Sequence, residues 1–480
     1  IRIIWSRHFQ FLRSLGQSHG RLQSILAFSL LSSYILSFLF EGQILYSLLE
    51  LYELETSSYI IEAIVANFLG LFSCGLFTKS IDRAKTVMLL GMGTSFVATI
   101  PFFFAPSPLW FLGLIVGGYA SGVALAAWGY FLKAFTPQQE RLKTCADVLI
   151  ISNVIMVAIN VLTFKLSPFV GLTVVMLSLF LGTVFTWSIR IGGEHGQDKQ
   201  ARARSTEQMR NAFLLLCVFI AVLTVNSGLM YQVINPAFSH LPELTVWYWA
   251  VPYIMALLVM RHLPSKIKHS RMLYAGMAMM IGAFIGFMLL GRNRLDYFVI
   301  DTLMLAACGV FDLFWWSILG AMLDYTTNPS MVFGVGLSAN VLGVLSGGVI
   351  GLWARSTQSL TAEVTVMALT IICASLALLP LLNRQLALLL RSHAYLTAYG
   401  TMNADQQSAV LYQVEPLDPL TAREEEVLAE ILLGKSNREA AAALYITENT
   451  MKTHARNIYS KYGVHSRAEL ISILLKGEDV

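Results

Sequence analysis

The chain has 480 residues, of which 56% are hydrophobic and only 13% charged, and its mean hydropathy is +0.63. This composition lies outside the range of soluble globular proteins and indicates an integral membrane protein. The net charge is +4, and the five cysteines stand singly, without the spacing of a metal site or a redox pair. The sequence contains no P-loop, zinc-protease or serine-hydrolase motif. We therefore expect neither an enzyme nor a bound metal or cofactor.

Apolar stretches of about twenty residues, the length that crosses a bilayer, occur about twelve times between residues 22 and 382. They predict an all-α, polytopic bundle embedded in the lipid bilayer, preceded by a short N-terminal segment, residues 1–21. The predicted spans are Leu22–Tyr46, Tyr59–Thr78, Thr86–Phe104, Leu109–Leu132, Thr144–Phe164, Pro168–Ile189, Asn211–Ile234, Leu244–Met260, Met272–Gly291, Tyr297–Leu323, Met331–Trp353 and Thr361–Leu382.

The loops between these spans carry unequal positive charge. If the N-terminal segment is cytoplasmic, the cytoplasmic loops and ends hold 21 Lys and Arg residues and the outer loops hold four. Cytoplasmic loops of membrane proteins are enriched in Lys and Arg. The count predicts a multi-pass protein of the inner membrane of a bacterial cell, with both termini in the cytoplasm.

The longest polar interruption, the central loop 190–210, divides the spans six and six. A short loop joins the second and third spans, where Gly75 and Asp82-Arg83 match part of a known loop motif. This layout resembles the major facilitator superfamily, although the motif is incomplete. The resemblance implies two six-helix halves with a substrate site between them, near the middle of the membrane.

Four polar residues inside the spans are candidates for a ligand site. Asp301 and Asp312 lie eleven residues apart in the tenth span, which is about three helical turns and therefore one face. Glu41 and Asn226 lie in the first and seventh spans. Because ionisable groups are costly in lipid, they are functional candidates by default. The alternative is that they reach the headgroups or join neighbouring helices.

A predicted linker, residues 383–417, separates the last span from a C-terminal domain, residues 418–480. It begins as a helix leaving the membrane and ends near Pro416 and Pro419. A flexible linker of about thirty residues reaches about 30 Å, so the domain stays close to the membrane.

Three capping boxes divide the C-terminal domain into helices. In each box a hydroxyl and a glutamate three residues later satisfy free backbone donors at a helix start. The boxes Thr421–Glu424, Ser436–Glu439 and Ser466–Glu469 predict helices that begin near residues 422, 437 and 467. Gly434 and Gly463 stand where the first and third helices of the domain end.

The third helix of this domain has one apolar and one basic side. Met451, Ala455 and Ile458 form an apolar stripe, and no carboxylate occurs from Asn449 to Gly463. It follows the second helix after a turn of about three residues, which is the layout of a helix-turn-helix. Residues 418–480 carry eight Lys and Arg against ten Asp and Glu. A plain helical bundle with a solvated charged side therefore remains the alternative from periodicity alone.

The residues of this domain resemble the LuxR-type DNA-binding domain over nearly its whole length. The resemblance rests on Leu420-Thr-Ala-Arg-Glu424, Gly434-Lys-Ser-Asn-Arg-Glu439, Thr447-Glu-Asn-Thr-Met-Lys452 and Lys461-Tyr-Gly463. Departures such as Met451, where the family usually has Val, keep an apolar residue. The resemblance implies a four-helix domain that binds double-stranded promoter DNA.

The resemblance also implies roles for single residues. Lys452, Thr453 and Arg456 match positions that face base edges. A helix from Ser466 to Lys476, apolar at Leu470, Ile471, Leu474 and Leu475, matches the part that forms a homodimer. Residues expected to contact phosphates are Thr447, Thr450, His454, Asn457 and Lys461.

We interpret the chain as a membrane-anchored transcription regulator whose membrane domain senses an unknown small-molecule signal. A second interpretation is a working transporter whose tail regulates its own expression. A third is a transporter-like scaffold that serves only as an anchor.

Overall fold

The computed structural model describes residues 19–40, 42–54, 56–191, 207–263, 269–357, 361–401, 414, 416–433, 435 and 437–474. Within these ranges all regular secondary structure is helical, which confirms the all-α prediction. The chain divides into two units. The first comprises Ile1–His195, Cys217–Asp324 and Asn328–Leu376, and the second is mainly Ala377–Val480 with the short segments Gly196–Leu216 and Tyr325–Thr327.

Twelve helices among the described residues are long and apolar enough to cross a membrane, which confirms the predicted number. The last of them belongs to a longer helix, Thr361–Thr401, so the first part of the predicted linker is helical. In chain order these helices are α1 His19–Leu51, α2 Tyr59–Phe77, α3 Ile81–Phe103, α4 Pro108–Phe135, α5 Gln138–Lys165, α6 Pro168–Ser188, α7 Met209–Ala237, α8 Pro242–Arg261, α9 Arg271–Leu289, α10 Arg294–Tyr325, α11 Pro329–Ser356 and α12 Ala362–Leu386.

Helices α1 and α7, the first of each six-helix half, both contain a π-helical turn. The turns are Ile35–Leu39 in α1 and Met230–Ile234 in α7. A π turn inserts an extra residue into the helix and is frequent at functional sites. The two halves thus carry the same kind of irregularity in equivalent helices.

Close helix packing in each half depends on glycines that the sequence places at small-residue spacing. A Cβ on Gly122 of α4 would lie 2.4 Å from the Asn67 carbonyl oxygen of α2. A Cβ on Gly347 of α11 would lie 2.0 Å from the Val225 carbonyl oxygen of α7. Both distances are shorter than any tolerable contact, so these helix pairs need glycine at the crossing.

The C-terminal domain consists of four helices, α13 Ala422–Leu432, α14 Asn437–Ala443, α15 Glu448–Lys461 and α16 Arg467–Leu474. Three of them begin at the residues that the capping boxes predict. Fourteen buried side chains from all four helices and their connections form one core. Burying an aliphatic or aromatic side chain stabilises a fold by about 1.5 to 3 kcal/mol, so this core accounts for the domain's compactness.

The helix ends follow the predicted local chemistry with one correction. Thr421 and Glu424 form a complete capping box on α13, and Gly463 ends α15 with a φ of +64°. On α16 the Ser466 hydroxyl accepts from the Glu469 amide, but the Glu469 carboxylate bonds the amide of His465 instead of Ser466. The predicted box at Ser466 is therefore only half formed. Gly434 and Ser436 lie outside the described residues.

Candidate functional site

Helix α15 separates an inward apolar side from an outward polar side. Met451, Ala455 and Ile458 are at most 3% exposed and lie in the domain core. The side chains exposed on the opposite side include those predicted to contact base edges, Lys452, Thr453 and Arg456, together with Asn457. Because a helix repeats every 3.6 residues, burying the apolar stripe forces these donors outward.

The start of α15 is also exposed and rich in donors. Thr447 caps the helix, and its hydroxyl accepts a hydrogen bond from the amide of Thr450 at 3.2 Å. The hydroxyl groups of Thr447 and Thr450 lie 2.8 Å apart. The positive end of the helix dipole and the free amides of the first turn favour an anion such as a phosphate.

Lys452 is held in a pair that water can open. Its ammonium group lies 2.9 Å from the Glu448 carboxylate, and both side chains are about half exposed. The hydrogen bond and charge of Lys452 hold the pKa of Glu448 below its usual value. Exposed pairs of this kind are weak, so DNA can replace Glu448 as the partner of Lys452. Among the described residues, Arg456 makes no hydrogen bond or ion pair and projects freely from the same side.

Some of the residues predicted to contact phosphates are exposed, and others already have hydrogen-bond partners within the domain. His454 is half-buried beside the exposed side of α15. The Lys461 ammonium donates to the Glu424 carboxylate and to the Pro419 carbonyl oxygen, both at 2.8 Å. Glu424 is only 4% exposed. Burial raises the pKa of Glu424, but hydrogen bonds from Lys461 and Thr421 outweigh burial and lower it. The structure therefore gives Lys461 a stabilising contact inside the domain.

The apolar side of α16, which was predicted to form a dimer, packs within its own domain. Leu470, Ile471 and Leu474 are at most 1% exposed and belong to the domain core. Leu475 and Lys476 lie outside the described residues. Arg467 at the start of α16 donates to the carbonyl oxygens of Ile431 and Lys435 and so caps the end of α13.

One exposed residue of this domain has no signal in the sequence that predicts its conformation. Tyr445, in the turn between α14 and α15, is 96% exposed and has a φ of +54°. A tyrosine in the left-handed region is strained by about 1 kcal/mol or more, because its Cβ crowds the backbone. Helix α14 ends at Ala443, and periodicity does not indicate the backbone conformation of the turn that follows.

The membrane part contains a cavity of about 180 Å³ between its two halves. Twenty-two described residues line it. They come from α1, α2, α4 and α5 of the first half and from the equivalent helices α7, α8, α10 and α11 of the second. Both π turns contribute to the wall, through Ile35 and Leu36 in α1 and Met230 and Tyr231 in α7.

Of the four residues predicted for a ligand site, the structure brings one to this cavity. Asp312 lines the wall, where the Tyr253 hydroxyl donates to its carboxylate at 2.8 Å and the Trp315 indole donates at 3.1 Å. Asp301 is buried elsewhere on α10, and Asn226 is buried on α7, and neither lines the cavity. Glu41 lies outside the described residues.

Two ion pairs join the halves at the end of the bundle where α5 begins. Arg141 donates to Asp324 at 2.7 Å and also to the Gly320 carbonyl oxygen. Arg261, at the end of α8, binds both carboxylate oxygens of Asp147 at 2.5 and 3.3 Å. The partners in these pairs are more than 110 residues apart. The sequence therefore offered no local signal for them.

Comparison with known proteins places the C-terminal helices among DNA-binding regulators. Residues 418–474 match the family described as bacterial regulatory proteins, luxR family. Over 56 residues the chain is 50% identical to the nitrate/nitrite response regulator protein homolog of Haemophilus influenzae, covering 12% of this chain and 27% of that protein. Over 57 residues it is 49% identical to the transcriptional regulatory protein YhcZ of Bacillus subtilis, with 12% and 27% covered. The chain thus spans about a quarter of these curated regulators.

The membrane helices are similar to those of solved transporters. The proton:xylose symporter XylE, of the major facilitator superfamily, aligns with a TM-score of 0.59 and 11% identity, covering 75% of this chain and 94% of that one. A bacterial homologue of the iron transporter ferroportin in the outward-facing state aligns with a TM-score of 0.54 and 13% identity, covering 77% and 99%. At these identities the likeness is one of fold.

Proposed function

Because residues 418–474 form a LuxR-type DNA-binding domain and the twelve-helix part has the major facilitator fold, we propose that this chain is a membrane-anchored, sequence-specific transcription regulator. The observation that carries the proposal is helix α15. Its apolar side completes the domain core, and its opposite side exposes Lys452, Thr453 and Arg456. The same chain continues from twelve helices able to cross a membrane.

In the proposed complex α15 enters a major groove of promoter DNA. Lys452, Thr453 and Arg456 contact base edges, where Lys or Arg donating to guanine is the commonest specific contact. Thr447 and Thr450 contact a phosphate at the helix start, and His454 and Asn457 extend the phosphate contacts along the flank. Lys461 stays in this set through its third N–H group, because Glu424 and Pro419 accept only two of the three donors of its ammonium group.

The proposed input is a small molecule bound between the two halves of the membrane domain. Binding shifts an equilibrium between two arrangements of the halves, and this shift controls DNA binding. The unequal distribution of Lys and Arg supports a bacterial inner-membrane location with both termini cytoplasmic. A homodimer would use the outward side of α16, because the core already occupies its apolar side.

The test is genome-wide DNA occupancy of the full-length protein in its own cells. The variant Lys452→Ala/Arg456→Ala is compared at matched abundance with Glu426→Gln, which changes an exposed side chain of α13. We expect discrete promoter peaks for the wild type and the control variant, and none for the double variant. Peaks that persist in the double variant, or an absence of peaks under every growth condition, would refute the proposal.

The second candidate is a transporter whose tail regulates its own expression. The observation in its favour is the central cavity with a carboxylate in its wall, in a fold that known transporters share. Substrate uptake by a variant lacking residues 418–480 separates the two functions. If the membrane part is only an anchor, Asp312→Asn will leave transcription of the target genes unchanged.

A further inference from the structure

Among the described residues of its wall, the central cavity has a carboxyl group but no cationic side chain that could balance its negative charge. Asp312 is the only carboxylate among the described lining residues, and none of them is Lys, Arg or His. The donors that reach Asp312, from Tyr253 and Trp315, are neutral. They orient the carboxylate but do not neutralise its charge. A charge removed from water is costly in free energy without a counter-ion. The described wall therefore calls for a cation that it does not supply.

Two asparagines on the other side of the cavity add further acceptors. The Asn67 amide nitrogen donates to the Gly118 carbonyl oxygen and to the Ser121 hydroxyl, both at 3.3 Å. The Asn153 amide nitrogen donates to the Leu149 carbonyl oxygen at 2.8 Å. Because a carbonyl oxygen can only accept, these bonds fix which end of each amide is nitrogen. Among the described residues, no protein group donates to either amide oxygen.

The remaining wall suits an organic body rather than a bare metal ion. Trp249, Tyr253 and Trp316 line the same cavity as Asp312, and aromatic faces attract organic cations. A dry cavity of about 150 Å³ holds a benzene ring. A cavity of about 180 Å³ therefore holds about one ring with a short polar arm.

We propose that this cavity binds a small organic ammonium ion. Its N–H groups donate hydrogen bonds to the side-chain oxygens of Asp312, Asn67 and Asn153, and its apolar part packs against Trp249 and Trp316. The inference deepens the proposed sensor function and rests on it for its biological meaning. Asn67 and Asn153 belong to the first half and the other three residues to the second, so the ion links the halves. The π turns of α1 and α7 adjoin the same cavity, as expected for irregular helices at a binding site.

The test uses the full-length chain in lipid nanodiscs and measures the temperature at which the membrane domain unfolds. The probes are phenethylamine, the neutral isostere 2-phenylethanol and the anion 3-phenylpropionate, beside a panel of small aliphatic and aromatic amines. The variants are Asp312→Asn and the matched control Asp301→Asn, which removes another buried carboxylate of α10 away from the cavity. We expect amines to raise the unfolding temperature of the wild type and the control, but not of Asp312→Asn. The alcohol and the anion should leave all three unchanged.

Three results would overturn the proposal: equal stabilisation by 2-phenylethanol, stabilisation by amines that survives in Asp312→Asn, or no stabilisation by any amine of the panel. If Asp312→Asn does not fold, Asn153→Leu serves instead. Loss of one amide acceptor should weaken amine binding by about five- to ten-fold in calorimetric titration, and unchanged affinity would refute the site. DNA binding is measured on the same preparation, so failure of the amine site and failure of the regulator function are separate outcomes.

Discussion

The ion pair between Lys461 and Glu424 should carry a large part of the stability of the DNA-binding domain. The Glu424 side chain is 5% exposed and that of Lys461 is 22% exposed. The carboxylate also accepts the amide and hydroxyl of Thr421, at 2.9 and 3.0 Å. We predict that Lys461→Ala destabilises the domain strongly, although Lys461 lies at the end of α15, the helix that we propose enters the major groove.

The magnitude follows from what the carboxylate loses. Removing one partner of a fully buried pair costs about 3 to 5 kcal/mol. Here the two bonds from Thr421 remain, and the shortened side chain admits water to Glu424, so we expect a loss of about 2 kcal/mol. A domain of this size has about 3 to 9 kcal/mol of stability in all. The substitution should therefore remove between about a fifth and two thirds of it.

The assay is hydrogen exchange of the α15 amides in the full-length protein. A loss of about 2 kcal/mol makes exchange through domain opening about thirty-fold faster. Lys452→Ala is the matched control, because it also removes a lysine from α15, but one whose ion pair is exposed. The exchange rate of this variant should stay within about twofold of the wild-type rate. An acceleration by Lys461→Ala no larger than that of the control would refute the reasoning.

Three further predictions concern acid, DNA and the membrane domain. The lowered pKa of Glu424 stabilises the fold above about pH 4.3, the pKa of a glutamate in the unfolded chain, and this contribution is lost as pH falls through the pKa of the folded state. Lys461→Ala should therefore move the acid unfolding transition to higher pH in a circular-dichroism titration. Unfolding transitions at the same pH in the variant and the wild type would contradict this prediction. Arg456→Ala should cost about 1 to 3 kcal/mol of affinity for the identified promoter in fluorescence anisotropy, whereas an equal loss on scrambled DNA would indicate a phosphate contact instead. Asp147→Asn, which removes the carboxylate partner of Arg261, should speed alkylation of the buried Cys145, as followed by peptide mass. An unchanged alkylation rate would contradict this prediction.

Local signals in the sequence were sufficient for the helices and their starts. A capping box needs only residues three apart, so Thr421 and Glu424 fixed the start of α13 without knowledge of the rest of the fold. Apolar length alone predicted twelve membrane helices. Periodicity likewise predicted the buried side of α15, because the stripe of Met451 and Ala455 must face a core.

The partners of buried groups could not be predicted in this way. Periodicity indicates that Leu470 and Ile471 are buried, but not whether a second subunit or the domain itself covers them, and the structure shows the domain core. Spacing put Asp301 and Asp312 on one face of α10, yet they stand about 16 Å apart along the helix, and only Asp312 reaches the cavity. The orientation of Asn67 depends on Gly118 of another helix, some fifty residues along the chain.

Whether the membrane domain can act as a sensor depends on the difference between the binding free energies of the ligand in the two arrangements of the halves. Moving an equilibrium from 1:99 to 99:1 requires a difference of about 5.5 kcal/mol. An ammonium ion that bonds Asp312 of the second half contributes about 1.5 to 3 kcal/mol, and bonds to Asn67 and Asn153 of the first half add about 0.5 to 1.5 kcal/mol each. The sum is about 2.5 to 6 kcal/mol, so it reaches the required size only near its upper end. It counts only when both halves are engaged at once, because a ligand held by one half alone stabilises both arrangements equally. By reciprocity, promoter DNA must then tighten or weaken the binding of the ammonium ion by the same factor by which the ion changes DNA affinity. A plain anchor, and a transporter that is uncoupled from its tail, would both show a factor of one.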